Sequence, residues 1–409
     1  MGKTQSKDCA DKKGTDNLSA ESEVNDIDIM QQLAENEGPI AVFAYIENNL
    51  NRWTREQVKF AITGRSGTGK STFINTIRNV KPEDDGFAMT GSGDTTTQPT
   101  LYMHPTNDQI TFCDLPGYAS ANFKKVDYIS EMKIADYDFV LIFFINVLSE
   151  DEIWLSLELE KLGKHFALVR TMIDVDINNA KNNGKDKKMI IPEIKERIET
   201  TLNKFPELMK TKGIFLISST HPNLGEWSDL MAYVEENIDG IKAQALLSSL
   251  ACITKNMVER KYKMLKKRLV RVTAAAGVIA AIPVPFIDAG INIIVLANEV
   301  RHYMSVFGIN RENVYSLENF DHSLLRCTTL LRPNLNMIVF VSSKLATYSG
   351  LLLATSVFDL IVPLIGSVIS SATTAAMTYN FLDNMLQNMK HDAVLIYEHI
   401  STTDVDQRT

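Results

Sequence analysis

Eight consecutive residues concentrate the chemistry of this chain: Gly64-Arg65-Ser66-Gly67-Thr68-Gly69-Lys70-Ser71 fits the pattern G-x-x-x-x-G-K-S/T. Glycines at those positions let backbone N–H groups curl around a β-phosphate, while Lys70 offers a point charge to the β and γ oxygens and the Ser71 hydroxyl can ligate Mg²⁺. The string follows a strand-like apolar run and precedes a helical pattern through Phe73, Ile74 and Ile77. That context separates a phosphate loop from a chance glycine-rich turn. With Thr72, these residues form the candidate nucleotide-binding stretch.

Asp114-Leu115-Pro116-Gly117 ends a second apolar run, Ile110-Cys113, so a carboxylate stands at a strand end for direct or indirect contact with Mg²⁺ and the Gly117 N–H can meet a γ-phosphate. Between the two lies Asp94-Thr95-Thr96-Thr97, from which one threonine could complete the Mg²⁺ shell; a solvated threonine run has the same composition. Thr171-Met172-Ile173-Asp174 stands where guanine-binding proteins carry N/T-K-x-D, whose aspartate accepts hydrogen bonds from guanine N1 and N2. Met172 keeps an alkyl stem to lie over a base but lacks the polar anchoring of lysine. Ser218-Ser219-Thr220 would close over the guanine O6 edge, although an ordinary strand-end Ser/Thr turn contains the same residues. An ATP-dependent phosphate-loop enzyme is the competing reading, and Asp174 at a strand end disfavours it. Tyr118 follows Gly117 where a water-orienting glutamine would stand in Ras-like enzymes, so intrinsic turnover is expected to be slow.

These residues need a scaffold, and the rhythm around them supplies one. Short apolar runs at Val58-Thr63, Ile110-Cys113, Phe139-Ile145, Phe166-Thr171 and Ile214-Ser218 alternate with helix-compatible stretches, as in an α/β doubly wound, mostly parallel sheet whose ligand lies at the carboxyl ends of the strands. Before them, Ile27, Met30, Leu33, Val42, Ile46 and Leu50 recur at helical spacing, interrupted at Gly38-Pro39. Beyond Asp229 long helical patterns take over. The expected organisation is a flexible tail over 1–22, N-terminal helices over 23–54, a nucleotide-binding domain over 55–235, an all-α domain over 236–400 and a tail over 401–409. The Asn178-Lys188 stretch, rich in Asn, Lys and Gly, reads as a solvated loop.

At 409 residues with 45% hydrophobic and 22% charged side chains, the chain can bury two or three domain cores. Its 42 basic against 50 acidic residues, a net charge of -8, argue against broad phosphate-led binding of nucleic acid and leave room for local basic patches. Cys9, Cys113, Cys252 and Cys327 form no zinc-like spacing and suit a reducing compartment, while the polar N-terminus does not read as a secretory signal. Met1-Gly2-Lys3-Thr4-Gln5-Ser6 fits M-G-x-x-x-S/T, which makes Gly2 a candidate for myristoylation, with Cys9 as a second acyl site. Leu360 to Leu382 carries no charge and is long enough to cross a bilayer, yet its Pro363, Gly366 and hydroxyl side chains favour buried core helices. Lys255 to Arg271 is strongly basic and reads as the solvated face of a packed helix, with an anionic lipid surface as the alternative.

Taken together, Gly64-Ser71, Phe73-Ile74-Asn75, Thr90-Gly91 with Asp94-Thr95-Thr96, Tyr102-x-His104-Pro105, Asp114-Leu115-Pro116-Gly117 and Tyr137-Asp138-Phe139 resemble the immunity-related GTPases, the interferon-inducible IRG family. Ile282-Pro283-Val284-Pro285 and Phe307-Gly308 extend the resemblance into the carboxyl half, so that it covers roughly residues 25 to 400. It implies a Ras-like G domain joined to an all-α domain formed by N-terminal and C-terminal segments. It also implies hydrolysis of GTP to GDP with Mg²⁺, dynamin-like self-assembly in the GTP state, and related family members as further partners. A cytoplasmic protein peripherally bound to lipids of the endoplasmic reticulum, Golgi or vacuolar membranes, acting in cell-autonomous defence, completes that expectation. By position Thr96 resembles the Mg²⁺-binding switch threonine, so the resemblance assigns catalysis to Lys70, Ser71 and Thr96, metal binding to Ser71, Thr96 and Asp114, and nucleotide contacts to residues 64–72, Thr96, Asp114, Gly117, Thr171, Asp174, Ser218 and Ser219. Lys70 places the chain with the Gly-Lys-Ser members; Met172 departs from the family's Thr-Lys-x-Asp, and Arg65 stands where an acidic residue is common. A regulator or scaffold of the same family with little turnover is the alternative, favoured by Met172 and disfavoured by Lys70, Ser71 and Thr96.

Overall fold

Along β1 (Val58–Gly64), Val58, Phe60 and Ile62 point to one face of a sheet and Ala61 to the other, the period of two that a strand imposes. The same alternation divides β4 (Phe139–Phe144): Phe139, Leu141 and Phe143 join the first core, Val140, Ile142 and Phe144 the second. With β2 (Thr100–His104), β3 (Asn107–Asp114), β5 (Phe166–Arg170) and β6 (Ile214–Leu216) they form one sheet in the order β2-β3-β1-β4-β5-β6. All pairs are parallel except β2 with β3. From β1 the chain runs out to the edge at β2, comes back to β3 beside β1 and then crosses to β4 on the other side, so the strand order reverses around β1 and its carboxyl end faces the crevice where such sheets hold ligands. Strand β2 carries no sequence signal because it is an edge: Thr100, Leu101 and Met103 are exposed and leave no alternation to read.

The computed structural model describes residues 26, 28–91, 98–118, 125–184, 186–208, 213–280, 288–348 and 371–406. Gly2, Cys9, Thr96, Ile282-Pro285 and residues 360–370 lie outside them. In chain order the helices are α1 (28–37), α2 (Pro39–Leu50), α3 (Lys70–Arg78), α4 (Lys125–Glu131), α5 (Glu150–Lys161), α6 (Ile173–Asn182), α7 (Lys187–Leu202), α8 (Trp227–Glu236), α9 (Gly240–Ser249), α10 (Lys255–Ala280), α11 (Asp288–Phe307), α12 (Arg311–Tyr315), α13 (Met337–Tyr348) and α14 (Ser371–Asp406). Helix α6 reaches Asn182 and α7 begins at Lys187, so the polar stretch expected as a loop over Asn178-Lys188 is mostly helical. Ala180, buried on α6, holds it to the sheet where composition alone suggested solvent.

Two compact units divide the chain: Met1–Asn51 with Lys261–Ile396, and Arg52–Arg260 with Tyr397–Thr409. In the second unit, one face of the sheet packs α3, α8 and α9 through Phe73, Trp227, Leu230 and Leu246, and the other packs α4 to α7 through Tyr128, Leu155, Ile173 and Ile198. Because α8 and α9 share the core of Phe60 and Phe112, this unit runs past residue 235, the expected end of the nucleotide-binding domain, and its boundary falls inside α10. Among the described residues, no helix is long and apolar enough to cross a membrane.

The first unit is helical. Gly38 with φ +84° and Pro39 at the start of α2 break the chain between α1 and α2, whose Val42, Ile46 and Leu50 are buried at a spacing of one turn. Arg268 of α10, itself buried, donates to Glu299 of α11 at 2.8 Å and to the carbonyl oxygen of Leu50, an end group of α2 that has no intrahelical donor. Burial, with the Arg268 and Lys261 cations beside it, holds the His302 imidazole well below its ordinary 6.5. The folded imidazole therefore stays neutral where the unfolded chain binds a proton, so stability is present above pH 6.5 and is lost as the pH falls below it. Unfolding free energies from urea titration at pH 7.5 and 5.5 should differ by ~1.4 kcal/mol in total through this group, and His302→Gln should remove that difference. An equal difference in the variant would assign the acid sensitivity elsewhere.

Candidate nucleotide site

Strand β1 ends at Gly64 with φ +144°, where a Cβ would stand 2.2 Å from the Phe143 carbonyl oxygen of β4. Only glycine allows that approach. Gly67 and Gly69 also take positive φ, +78° and +82°, and Gly69 opens α3 so that the helix N-terminus faces into the loop. Lys70, 8% exposed, donates Nζ to the carbonyl oxygens of Gly64 at 3.0 Å and Arg65 at 3.1 Å, which folds its ammonium over the loop. The Thr68 hydroxyl closes the turn by donating to Arg65 O at 2.8 Å, and Thr72 lies half-buried in the first turn of α3.

The Asp114-Gly117 turn reaches this loop from the end of β3. Leu115 N donates to Ile62 O at 2.8 Å, and Ser71 Oγ donates to Asp114 Oδ2 at 3.2 Å. Ser71 and Asp114 thus offer hard oxygens of the type Mg²⁺ takes. Among the described residues no cluster of three or more His, Cys, Asp and Glu could hold a metal ion. A Cβ on Gly117 would stand 3.3 Å from Gly64 O, which places this glycine directly against the phosphate loop.

On the other side, the Thr171 hydroxyl donates to Thr68 O at 2.7 Å, and a Cβ on Gly69 would meet Ser219 Oγ at 3.2 Å. Ser219 Oγ is buried without a hydrogen-bond partner among the described residues, while Ser219 O accepts from Thr76 at 2.6 Å. Ser218 is engaged internally: its Oγ accepts from His221 N at 3.1 Å and its carbonyl from Trp227 Nε1 at 2.7 Å. Met172 takes a left-handed conformation, φ +62°, and is 38% exposed at the entry of α6, with Asp174 half-exposed in the first turn. Ile173 N donates to Ile217 O at 3.3 Å and joins the two loops. The structure therefore gathers residues 64–71, Asp114, Gly117, Thr171 and Ser219 around one loop.

Arg65 turns away from it. Its guanidinium donates to Asp151 at 2.8 Å and Ser149 at 3.0 Å, and the bond it gives to the Asp151 carboxylate raises its basicity. Tyr118, 1% exposed, donates its hydroxyl to Glu152 Oε1 at 2.7 Å; burial, then the adjacent carboxylate, drives the phenol far above its ordinary value. Tyr128 donates to Pro116 O at 2.8 Å and meets the Thr63 hydroxyl at 2.7 Å. Sequence reasoning missed Glu152 and Tyr128. Ser149-x-x-Glu152 carries the signature of a capping box and forms one, yet nothing local ties it to a loop so distant in the chain.

A family profile described as Interferon-inducible GTPase (IIGP) matches residues 22–396. The chain is 29% identical to Interferon-inducible GTPase 5 of Rattus norvegicus over 82% of this chain and 74% of the relative. It is 31% identical to T-cell-specific guanine nucleotide triphosphate-binding protein 2 of Mus musculus over 70% of this chain and 69% of the relative. Among solved structures it is similar to Era of Aquifex aeolicus bound to GDP and aluminium fluoride, at 21% identity and a TM-score of 0.32, over 51% of this chain and 68% of that one.

The two loop glycines should respond differently to the same change. Gly64→Ala drives a methyl group into the backbone of β4, so it should lower the thermal midpoint and remove nucleotide binding. Gly67→Ala meets nothing within 4 Å and should cost only the ~1–2 kcal/mol of a left-handed alanine. Equal thermal midpoints for the two variants would refute the close approach as the controlling constraint.

Proposed function

This chain belongs to the interferon-inducible GTPase family, and from that premise we propose that it binds GTP and hydrolyses it to GDP with Mg²⁺. In the same reading it self-assembles in the GTP state and associates peripherally with intracellular membranes in cell-autonomous defence. The observation that carries the nucleotide part is the meeting, around one loop, of Lys70, the Ser71–Asp114 pair and Gly117 on one side with Thr171 and Ser219 on the other. Lys70 would leave the carbonyls of Gly64 and Arg65 for phosphate oxygens, and loop N–H groups with the start of α3 would hold the β-phosphate. Mg²⁺, held by Ser71 and near Asp114, would supply positive charge to the β and γ oxygens. Thr96 is the proposed third ligand. Asp174 would accept from guanine N1 and N2, with Met172 beside the base and the Ser218-Ser219 loop at its edge.

Titration with GTP, GDP, ATP and XTP tests the base assignment. Hydrogen bonds from guanine N1 and N2 to the Asp174 carboxylate, which adenine cannot donate, are worth ~1.5–3 kcal/mol, so guanine should be preferred over adenine by about tenfold or more, and Asp174→Asn should shift preference toward xanthine. Equal affinity for ATP and GTP would sink the reading.

Assembly and membrane attachment are tested together. Tyr118 supplies no water-orienting amide in cis, so phosphate release per molecule should rise with protein concentration; a constant specific rate argues against assembly. One myristoyl chain binds membranes weakly, with an association constant of ~10⁴ M⁻¹, whereas an oligomer presents several at once and gains avidity of ~10²–10⁴. Gly2→Ala should therefore release most protein from the membrane fraction, and Lys70→Ala nearly as much. Gly2→Ala protein that resists carbonate extraction would overturn the acyl anchor.

A further inference from the structure

Three segments distant in sequence converge on the start of α5. Glu152, 2% exposed, accepts from the Ser149 backbone N–H at 2.7 Å and from the Ser149 hydroxyl through one carboxylate oxygen. Its other oxygen accepts from Tyr118 at 2.7 Å and lies 3.9 Å from Arg65 Nε. Asp151 alongside takes the Arg65 guanidinium at 2.8 Å and pairs with Lys125 at the start of α4. Arg65 is the residue whose carbonyl oxygen accepts from Lys70, and Tyr118 adjoins Gly117, which is packed against Gly64. A single buried carboxylate therefore touches both the phosphate loop and the turn expected to meet a γ-phosphate.

We propose that Glu152 is a positioning residue that couples the phosphate loop to the Asp114-Tyr118 turn, gripping Tyr118 and Arg65 so that the Gly117 N–H is held in place for a γ-phosphate. The proposal deepens the guanine-nucleotide reading and rests on it for its first test. A diphosphate makes no use of Gly117, whereas a triphosphate does, so the coupling is expressed as discrimination between the two. Without the grip, the turn must be ordered at the expense of the triphosphate's binding energy. Tyr118 acts on the site through its one hydrogen bond to Glu152, so losing the Tyr118 hydroxyl adds nothing once that carboxylate has been replaced.

The experiment compares GTPγS and GDP affinity, with Mg²⁺, for the full chain and for Glu152→Gln, Tyr118→Phe and the double variant. Each single variant should weaken GTPγS by about fivefold or more, the loss of one hydrogen bond to a charged group, and leave GDP within about twofold. The double variant should be no worse than the weaker-binding single. Equal weakening of both nucleotides, or multiplicative losses in the double variant, would overturn the proposal. Tyr118→Phe keeps the buried ring, so it answers even where Glu152→Gln folds poorly.

A second arm needs no nucleotide. Hydrogen exchange of peptides covering Gly64-Gly67 and Asp114-Tyr118 should quicken together in nucleotide-free Glu152→Gln, by about tenfold. Faster exchange at Asp114-Tyr118 alone, with the phosphate loop unchanged, would overturn the coupling. If wild-type protein binds neither GDP nor GTPγS, the guanine reading fails, and the exchange arm still decides whether Glu152 joins the two segments.

Discussion

No side chain fits between Gly64 and the carbonyl oxygen of Phe143, and the position of every group at the site follows from that contact. The close approach turns the chain sharply out of β1, so the loop rises over β4 and α3 starts beside it. Phe143 acts twice: its backbone sets where the loop begins, and its ring meets Phe73 of α3 edge-on at 5.0 Å, fixing where the loop ends. Phe73 also stacks on Trp227 at 4.8 Å. With both ends of the loop packed against the same strand, Lys70 and Ser71 have little freedom except at their tips. Preorganisation of this kind is what phosphate binding requires, because backbone N–H groups cannot be re-aimed after the ligand arrives.

Buried charge pairs fix the remaining geometry, and their effect is on register more than on net stability. Removing an Arg and its carboxylate together from an interior is often neutral, whereas losing one partner costs ~3–5 kcal/mol, so each pair penalises wrong arrangements far more than it rewards the right one. In the helical unit, Arg268 spans Glu299 and the last turn of α2. In the sheet unit, the buried Arg170 at the end of β5 reaches Asp176 in α6. Arg65, half-exposed, reaches Asp151 at the head of α5 as a surface pair worth ~0–1 kcal/mol. Each joins a helix end to something it must not slide against. The acidic first turn of α5 is suited to this, since carboxylates there also offset the helix dipole and cap its free N–H groups.

What was readable beforehand divides along the same line. The phosphate loop was legible because its chemistry is local: glycines, lysine and serine within eight positions, bracketed by a strand and a helix. The central strands were legible because both faces are covered and each is apolar. Strand β2 was not, since an exposed edge carries neither signal. Nor was Glu152, whose capping-box spacing announces a helix start and says nothing of Tyr118 or Arg65; that meeting exists only once β1, β3 and β4 lie side by side. Tyr118 illustrates the limit well: in sequence it is notable for the glutamine it replaces, and in the fold it is a buried ring with one hydroxyl contact. The Asn-rich stretch over 178–188 misled for the opposite reason, because one buried alanine outweighs a polar composition.

The methionine at position 172 is the substitution that most needs a physical account. A lysine there would contribute a stem over the base and a polar tie to the phosphate loop. Met172 adopts φ +62° and is partly exposed, so its side chain can supply the stem with no burial of charge. The tie is present by another route: the Thr171 hydroxyl already donates to Thr68 O, one residue from Gly69, and Arg170 beneath it is anchored to Asp176. On the function proposed above, the lost ammonium removes one link between the base loop and the phosphate loop while a shorter, buried link remains. A hydroxyl-to-carbonyl bond is worth ~0.5–1.5 kcal/mol net and, being buried, is insensitive to salt, whereas a lysine's ion contact would be screened. The loop therefore keeps its place by packing and one hydrogen bond, and the chain can dispense with the lysine without dismantling the guanine side of the site.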